Sequence, residues 1–88
     1  MKIKENFVLR KVAGTYAVLA LAEATVDFNG LLTLNESGVM LWKLIENGST
    51  KEELAKALTE EYEVSFDEAL ADVNEFLEKL NKAGCLEL

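Results

Sequence analysis

Residues 31–48 read LLTLNESGVMLWKLIENG, and the pattern changes character at Asn35. Leu31, Leu32, Thr33 and Leu34 form a short apolar run suited to a strand. Beyond it, Leu41, Trp42 and Ile45 recur at helical spacing. Asn35 can offer its side-chain oxygen to the free amides of a new helix, and Asn47-Gly48 is a helix-ending pair. This switch divides the chain into an extended first part and a helical remainder.

Upstream, residues 7–12 and 15–21 are rich in β-branched and aromatic types, and only Ala13-Gly14 separates them, so they are predicted to form a hairpin. A third extended stretch, residues 26–34, is interrupted by Asn29-Gly30, a dipeptide suited to the positive φ angles of a tight turn. The third strand proper is therefore placed at residues 31–34. Downstream, Thr50 with Glu53 makes a capping-box pattern ahead of Leu54, Ala55, Leu58 and Tyr62. Ser65 with Glu68 repeats it ahead of a long helix whose apolar stripe is Phe66, Ala69, Leu70, Val73, Phe76, Leu77, Leu80 and Ala83. Gly84 closes that helix as a left-handed cap. The expectation is an α+β fold: one domain over residues 1–88, with a three-stranded antiparallel sheet followed by three helices.

The composition limits the functions available. A chain of 88 residues, half of them hydrophobic, can bury one core but not a core plus a deep catalytic cleft. It contains no histidine and a single cysteine, Cys85, so it has neither an internal disulfide nor a His/Cys metal site. With no secretory pattern at its start, the sequence points to a reducing cytoplasm. The longest apolar run, residues 16–22, is about a third of the roughly 20 residues needed to span a bilayer, so no membrane partner is expected. The net charge is −7 and unevenly spread: residues 46–78 hold eleven acids against Lys51 and Lys56. Such a face repels phosphate backbones and tolerates basic partners; it also serves simply to keep a small protein soluble.

Little here carries chemistry. Glu52 with Glu53, and Glu60 with Glu61, are paired carboxylates, but neighbours on a helix point about 100° apart and do not flank one bond. Neither Gly14 nor Asn29-Gly30 belongs to a phosphate-binding loop, which needs several glycines between a strand and a helix. Ser37 suggests a carrier-protein attachment serine, and the strands ahead of it argue against that. Cys85, beside Leu86, is expected to be a small buried hydrophobe, and Trp42 a core residue. No catalytic residue, metal or cofactor is assigned.

The spaced pattern Leu34-Asn35-Glu36-Ser37-Gly38, Trp42, Leu44, Gly48, Thr50, Asp72-Val73, Phe76-Leu77, Leu80 and Ala83-Gly84 resembles the PqqD-like family. That family is the standalone form of the peptide recognition element found in pathways for ribosomally made, modified peptides. The resemblance extends over residues 7–86, nearly the whole chain. It implies a winged helix-turn-helix and a non-catalytic adaptor. Its partner would be the leader segment of a precursor peptide, added as a strand to the edge of the third strand and lying against the third helix. A modifying enzyme, such as a radical S-adenosylmethionine maturase or a leader peptidase, would be the second partner.

Carried onto this sequence, the resemblance places the peptide-binding edge at Leu31, Leu32, Thr33 and Leu34, and the facing wall at Asp72, Val73, Phe76, Lys79 and Leu80. Val73, Phe76 and Leu80 also belong to the apolar stripe, so filling the core is the competing assignment for them. Asp72, Glu75 and Lys79 lie one turn apart and can pair with each other or with charges on the guest. Two other functions fit the same fold. Winged helices commonly bind DNA, but the second helix carries four acids against two lysines, which opposes nucleic acid. A subunit that binds a folded protein is the other. An unpaired strand edge permits either a monomer or a homodimer.

Overall fold

The computed structural model describes residues 1–20 and 32–87. Strand β1 (Lys2–Ile3) is followed by the hairpin β2 (Phe7–Val12) and β3 (Thr15–Ala20), then by β4 (Leu32–Leu34). Helices α1 (Glu36–Glu46), α2 (Lys51–Glu61) and α3 (Phe66–Lys82) follow, and β5 (Leu86–Glu87) ends the described chain. The antiparallel sheet has the order β2-β3-β4 and precedes three helices, the α+β order expected from the sequence. Of the expected third extended stretch, Leu32, Thr33 and Leu34 are strand. Leu21, Leu31 and the Asn29-Gly30 turn lie outside the described residues.

The helix ends follow from their capping residues. Asn35 Oδ1 accepts the Gly38 amide at 2.9 Å and opens α1. Thr50 and Glu53 make the full reciprocal box of α2: Oγ1 accepts from the Glu53 amide, and the Glu53 carboxylate accepts from the Thr50 amide. At α3 the second half of the box takes another form. Ser65 Oγ accepts the Glu68 amide, but its hydroxyl donates to Glu68 Oε1, so the carboxylate is engaged by the side chain. Helix α3 ends in a Schellman motif: the Gly84 amide, at φ 79°, donates to the Asn81 carbonyl, and the Cys85 amide to the Leu80 carbonyl.

The core lies between the sheet and the helices. The inner sheet face brings Phe7, Val18 and Leu34, and the helices bring Trp42, Ile45, Leu54, Leu58, Ala69, Val73, Leu77 and Leu80. Trp42 is fully buried, as its place on the apolar stripe predicts. Among the described residues its Nε1–H finds no acceptor, a cost of about 1–3 kcal/mol that the buried ring offsets by its apolar area. Phe66 departs from the predicted stripe: at the first turn of α3 it is 45% exposed.

A second, two-stranded ribbon was not anticipated. Strands β1 and β5 pair antiparallel, Lys2 with Glu87 and Ile3 with Leu86, and the Lys4 amide extends the ladder to the Cys85 carbonyl. The Ser49 amide donates to the Met1 carbonyl, which ties the loop between α1 and α2 to the same strand. Two-residue strands carry no detectable alternation, so the ribbon left no periodic trace in the sequence.

Candidate functional site

The hairpin turn determines which way the peptide groups of β4 point. Ala13 and Gly14 both have positive φ, 52° and 81°, the two-residue turn in which the flanking pair, Val12 and Thr15, exchanges both main-chain bonds. Bonded and non-bonded pairs alternate along an antiparallel ladder. In β3, therefore, Tyr16 and Val18 turn their N–H and C=O groups to β4, where Leu34 and Leu32 are their partners. Thr33, opposite Ala17, turns its own N–H and C=O away from β3. Among the described residues no strand pairs with that outer edge of β4.

The same edge borders a cleft of about 390 Å³. Thr33 and Leu34 form its strand side, and Asn35, Ser37, Gly38 and Leu41 bring in the start of α1. Leu58, Tyr62 and Val64 close it from the end of α2 and the following turn, and Asp72, Glu75, Phe76 and Lys79 line the α3 side. Its base is apolar, because Leu34, Leu41 and Leu58 are all buried. Its rim is charged: Asp72, Glu75 and Lys79 are exposed.

Gly38 determines how closely α1 approaches α3. A β-carbon at this position would stand 3.3 Å from Phe76 Cε1, from Leu34 Cβ and from Asn35 Oδ1. The missing side chain thus lets the Phe76 ring lie against the turn between β4 and α1. Asn35 Oδ1 holds that turn by accepting from the Gly38 amide and from the Ser37 hydroxyl, the latter at 3.0 Å.

Of the sequence-predicted site residues, Thr33, Leu34, Asp72, Phe76 and Lys79 meet at this cleft. Leu32 is half-buried on β4 next to it, and Leu31 lies outside the described residues. Val73 and Leu80 do not line it; both are fully buried in the core, where the other branch of the sequence reading put them. Sequence reasoning missed Asn35, Ser37, Gly38, Leu41, Leu58, Tyr62 and Val64 as lining residues. The signal available for Tyr62 was its place as an aromatic at the end of the α2 stripe; the structure leaves 40% of it exposed there.

Among the described residues, no cysteine lines the cleft. Cys85 is buried away from it, and burial pushes its thiol up to about 11 against a smaller lowering by Lys4, so the reactive thiolate is suppressed at neutral pH. Among the described residues no group of three or more His, Cys, Asp or Glu side chains is placed to hold a metal. No described helix is long and apolar enough to cross a membrane.

The family model for coenzyme PQQ synthesis protein D matches residues 15–86. The chain belongs to the PqqD family. This explains the spaced pattern from Leu34 to Gly84, which lies within the matched residues. No curated protein matches the chain. Among solved structures, TbiB1 in complex with the TbiA(beta) leader peptide is 28% identical, with a TM-score of 0.79 over 99% of this chain and 95% of that one. Lasso peptide synthetase B1 complexed with its leader peptide is 18% identical, with a TM-score of 0.76 over 96% and 93%, and shares the fold. In this chain, the described part of that fold sets an unpaired strand edge beside an apolar cleft.

Proposed function

We propose that this chain is a non-catalytic peptide-binding adaptor. It captures the leader segment of a ribosomally synthesised precursor peptide by strand addition and presents it to a modifying enzyme, such as a radical S-adenosylmethionine maturase or a leader peptidase, in the cytoplasm. The observation that carries this reading is the adjacency of the outward-facing Thr33 peptide groups and the apolar cleft below them, in a member of the PqqD family. The likeness to a TbiB1 bound to a leader peptide supports the same class of guest.

The physics of such a site is that of an added strand. Main-chain bonds at the edge give grip, and the cleft selects among the guest's alternate side chains. The peptide-binding residues are then Leu32, Thr33 and Leu34 along the edge, with Asp72, Phe76 and Lys79 opposite; Leu31, also expected there from the sequence, lies outside the described residues. A handful of backbone bonds at a net of about 0.5–1.5 kcal/mol each, plus one or two apolar anchors, less the cost of association, corresponds to roughly micromolar affinity. That strength suits an adaptor that must hand its guest on.

The test is a titration of fluorescently labelled candidate leader peptides, taken from short reading frames beside the gene, followed by anisotropy. Thr33→Pro removes the outward amide and leaves the β3–β4 bonds of Leu32 and Leu34 in place. It is expected to weaken binding about tenfold, the equivalent of one lost main-chain bond with its buried partner left unpaired. Undiminished binding to a folded Thr33→Pro chain is incompatible with strand addition.

A further inference from the structure

On the α3 side of the cleft the charged residues are Asp72, Glu75 and Lys79, and among the described residues they are the only charged ones that line it. Glu75 and Lys79 stand four residues apart, the spacing that closes most readily into an ion pair on a helix. The next such pair on α3, Glu78 and Lys82, does close, with Lys82 Nζ 3.2 Å from Glu78 Oε1. It is the only salt bridge among the described residues. Along the cleft, therefore, the three charges have no ion-pair partner among the described residues, while a solvent-facing pair on the same helix is satisfied.

The two acids lie together, towards the N-terminal end of the cleft wall, with Lys79 beyond them. Tyr62, across the cleft, sits in the acidic run Glu60-Glu61-Tyr62-Glu63. Among the described residues the lining contains no second cation to neutralise the carboxylates. A guest side chain entering beside the apolar base must therefore pass a rim whose balance is negative.

We propose that Asp72 and Glu75 make this cleft selective for peptides with a basic side chain, Lys or Arg, next to the residue that enters the apolar base. This deepens the peptide-binding reading and rests on it. Rim charges of this kind act through discrimination and encounter rate rather than through large gains in affinity, because solvent and salt screen them. An acidic residue at the same place on the guest meets two carboxylates and is rejected. Lys79, further along α3, moderates that field at one end only.

The experiment is selection from a random short-peptide display library on three immobilised chains: the native protein, Asp72→Lys/Glu75→Lys and Lys79→Glu. All three positions are exposed, and circular dichroism establishes that each chain is folded. On the native protein, the ratio of Lys plus Arg to Asp plus Glu in selected peptides is expected to rise about threefold or more over the unselected library, the size of one or two screened rim pairs. The double reversal is expected to invert that bias, and Lys79→Glu to increase it. Peptides enriched without charge bias, or a bias that survives the double reversal, would overturn the inference while leaving peptide binding intact. If the native chain enriches no peptides at all, the peptide-binding reading fails and this inference fails with it.

Discussion

Helix α3 presents two surfaces that carry the same kind of residue and do different work. On one, Ala69, Val73 and Leu80 are fully buried and Leu77 nearly so. On the other, Phe76 is half-buried between Asp72, Glu75 and Lys79 at the cleft. Both surfaces fall on one broad apolar stripe, and what separates them is the element each one faces. The buried side forms part of the core with the sheet and the other helices. The cleft side faces the start of α1, where Gly38 leaves room for a ring and for little else. An apolar residue on a helix is therefore a core residue or a site residue according to its neighbour across the gap.

The largest effect should come from truncating each surface in turn. Leu80→Ala removes a fully buried side chain beneath the Schellman turn and is expected to cost about 2–5 kcal/mol of stability. It should leave the affinity of the folded fraction for peptide unchanged. Phe76→Ala is expected to do the reverse in proportion: a smaller loss of stability, because the ring is only partly buried, and a loss of peptide binding of about tenfold or more, as for an aromatic anchor in a pocket. Urea melts and peptide titrations of both variants check this. Equal ratios of binding loss to stability loss would mean that the two surfaces are not distinct.

The same contrast explains what was legible in the sequence. Helix starts were written locally, in Asn35, Thr50 and Ser65, and their side chains perform the capping the pattern predicts. The hairpin was legible because Ala13-Gly14 leaves no other connection, although Ala13 takes a left-handed φ that costs an L residue about 1–2 kcal/mol. From the turn, the alternation of bonded pairs tells which residues of β3 face β4, but Thr33 as the residue with an outward amide follows only from the β3–β4 register, and the sequence reading placed the edge at residues 31–34 without singling it out. The helix side of the site is no more local. Val73 and Phe76 are three residues apart on one stripe, and only the position of α1 sends one to the core and the other to the cleft. The β1–β5 ribbon was illegible for a related reason, since its two-residue strands are specified by their packing and by contacts between distant parts of the chain.

An intermediate effect should follow from altering the element that faces α3 rather than α3 itself. Gly38→Ala gains about 1 kcal/mol of helix propensity, but its methyl group meets Phe76, Leu34 and Asn35 at 3.3 Å. The Phe76 ring is the neighbour with room to move, because it borders the cleft, whereas Leu34 is buried. Stability is expected to change by less than about 1 kcal/mol in either direction, since overpacking and propensity oppose each other. Peptide affinity should fall several-fold as the ring moves into the cleft. A variant that loses stability but keeps its affinity would show that the clash is absorbed at the Asn35 cap, and that Phe76 does not depend on Gly38 for its position.

The smallest effect is on the core side and is silent at neutral pH. Cys85 packs at the end of α3, fully buried, and its thiol is pushed from 9.0 up to about 11, chiefly by loss of solvation, with Lys4 opposing. Because the folded value lies above the unfolded one, the unfolded chain releases the proton first as pH rises. The stabilising contribution of the neutral thiol is thus complete below about pH 9 and is lost as pH climbs through about 11. Cys85→Ala removes the titrating group. It should be somewhat less stable than the native chain at pH 7, from the small void, and should show a shallower decline between pH 9 and 11 in parallel urea melts. Since Cys85 does not line the cleft, peptide affinity at neutral pH should be the same for both chains. A Cys85→Ala chain that bound peptide less well would connect the end of α3 to the cleft, and the two surfaces of the helix could no longer be treated as independent.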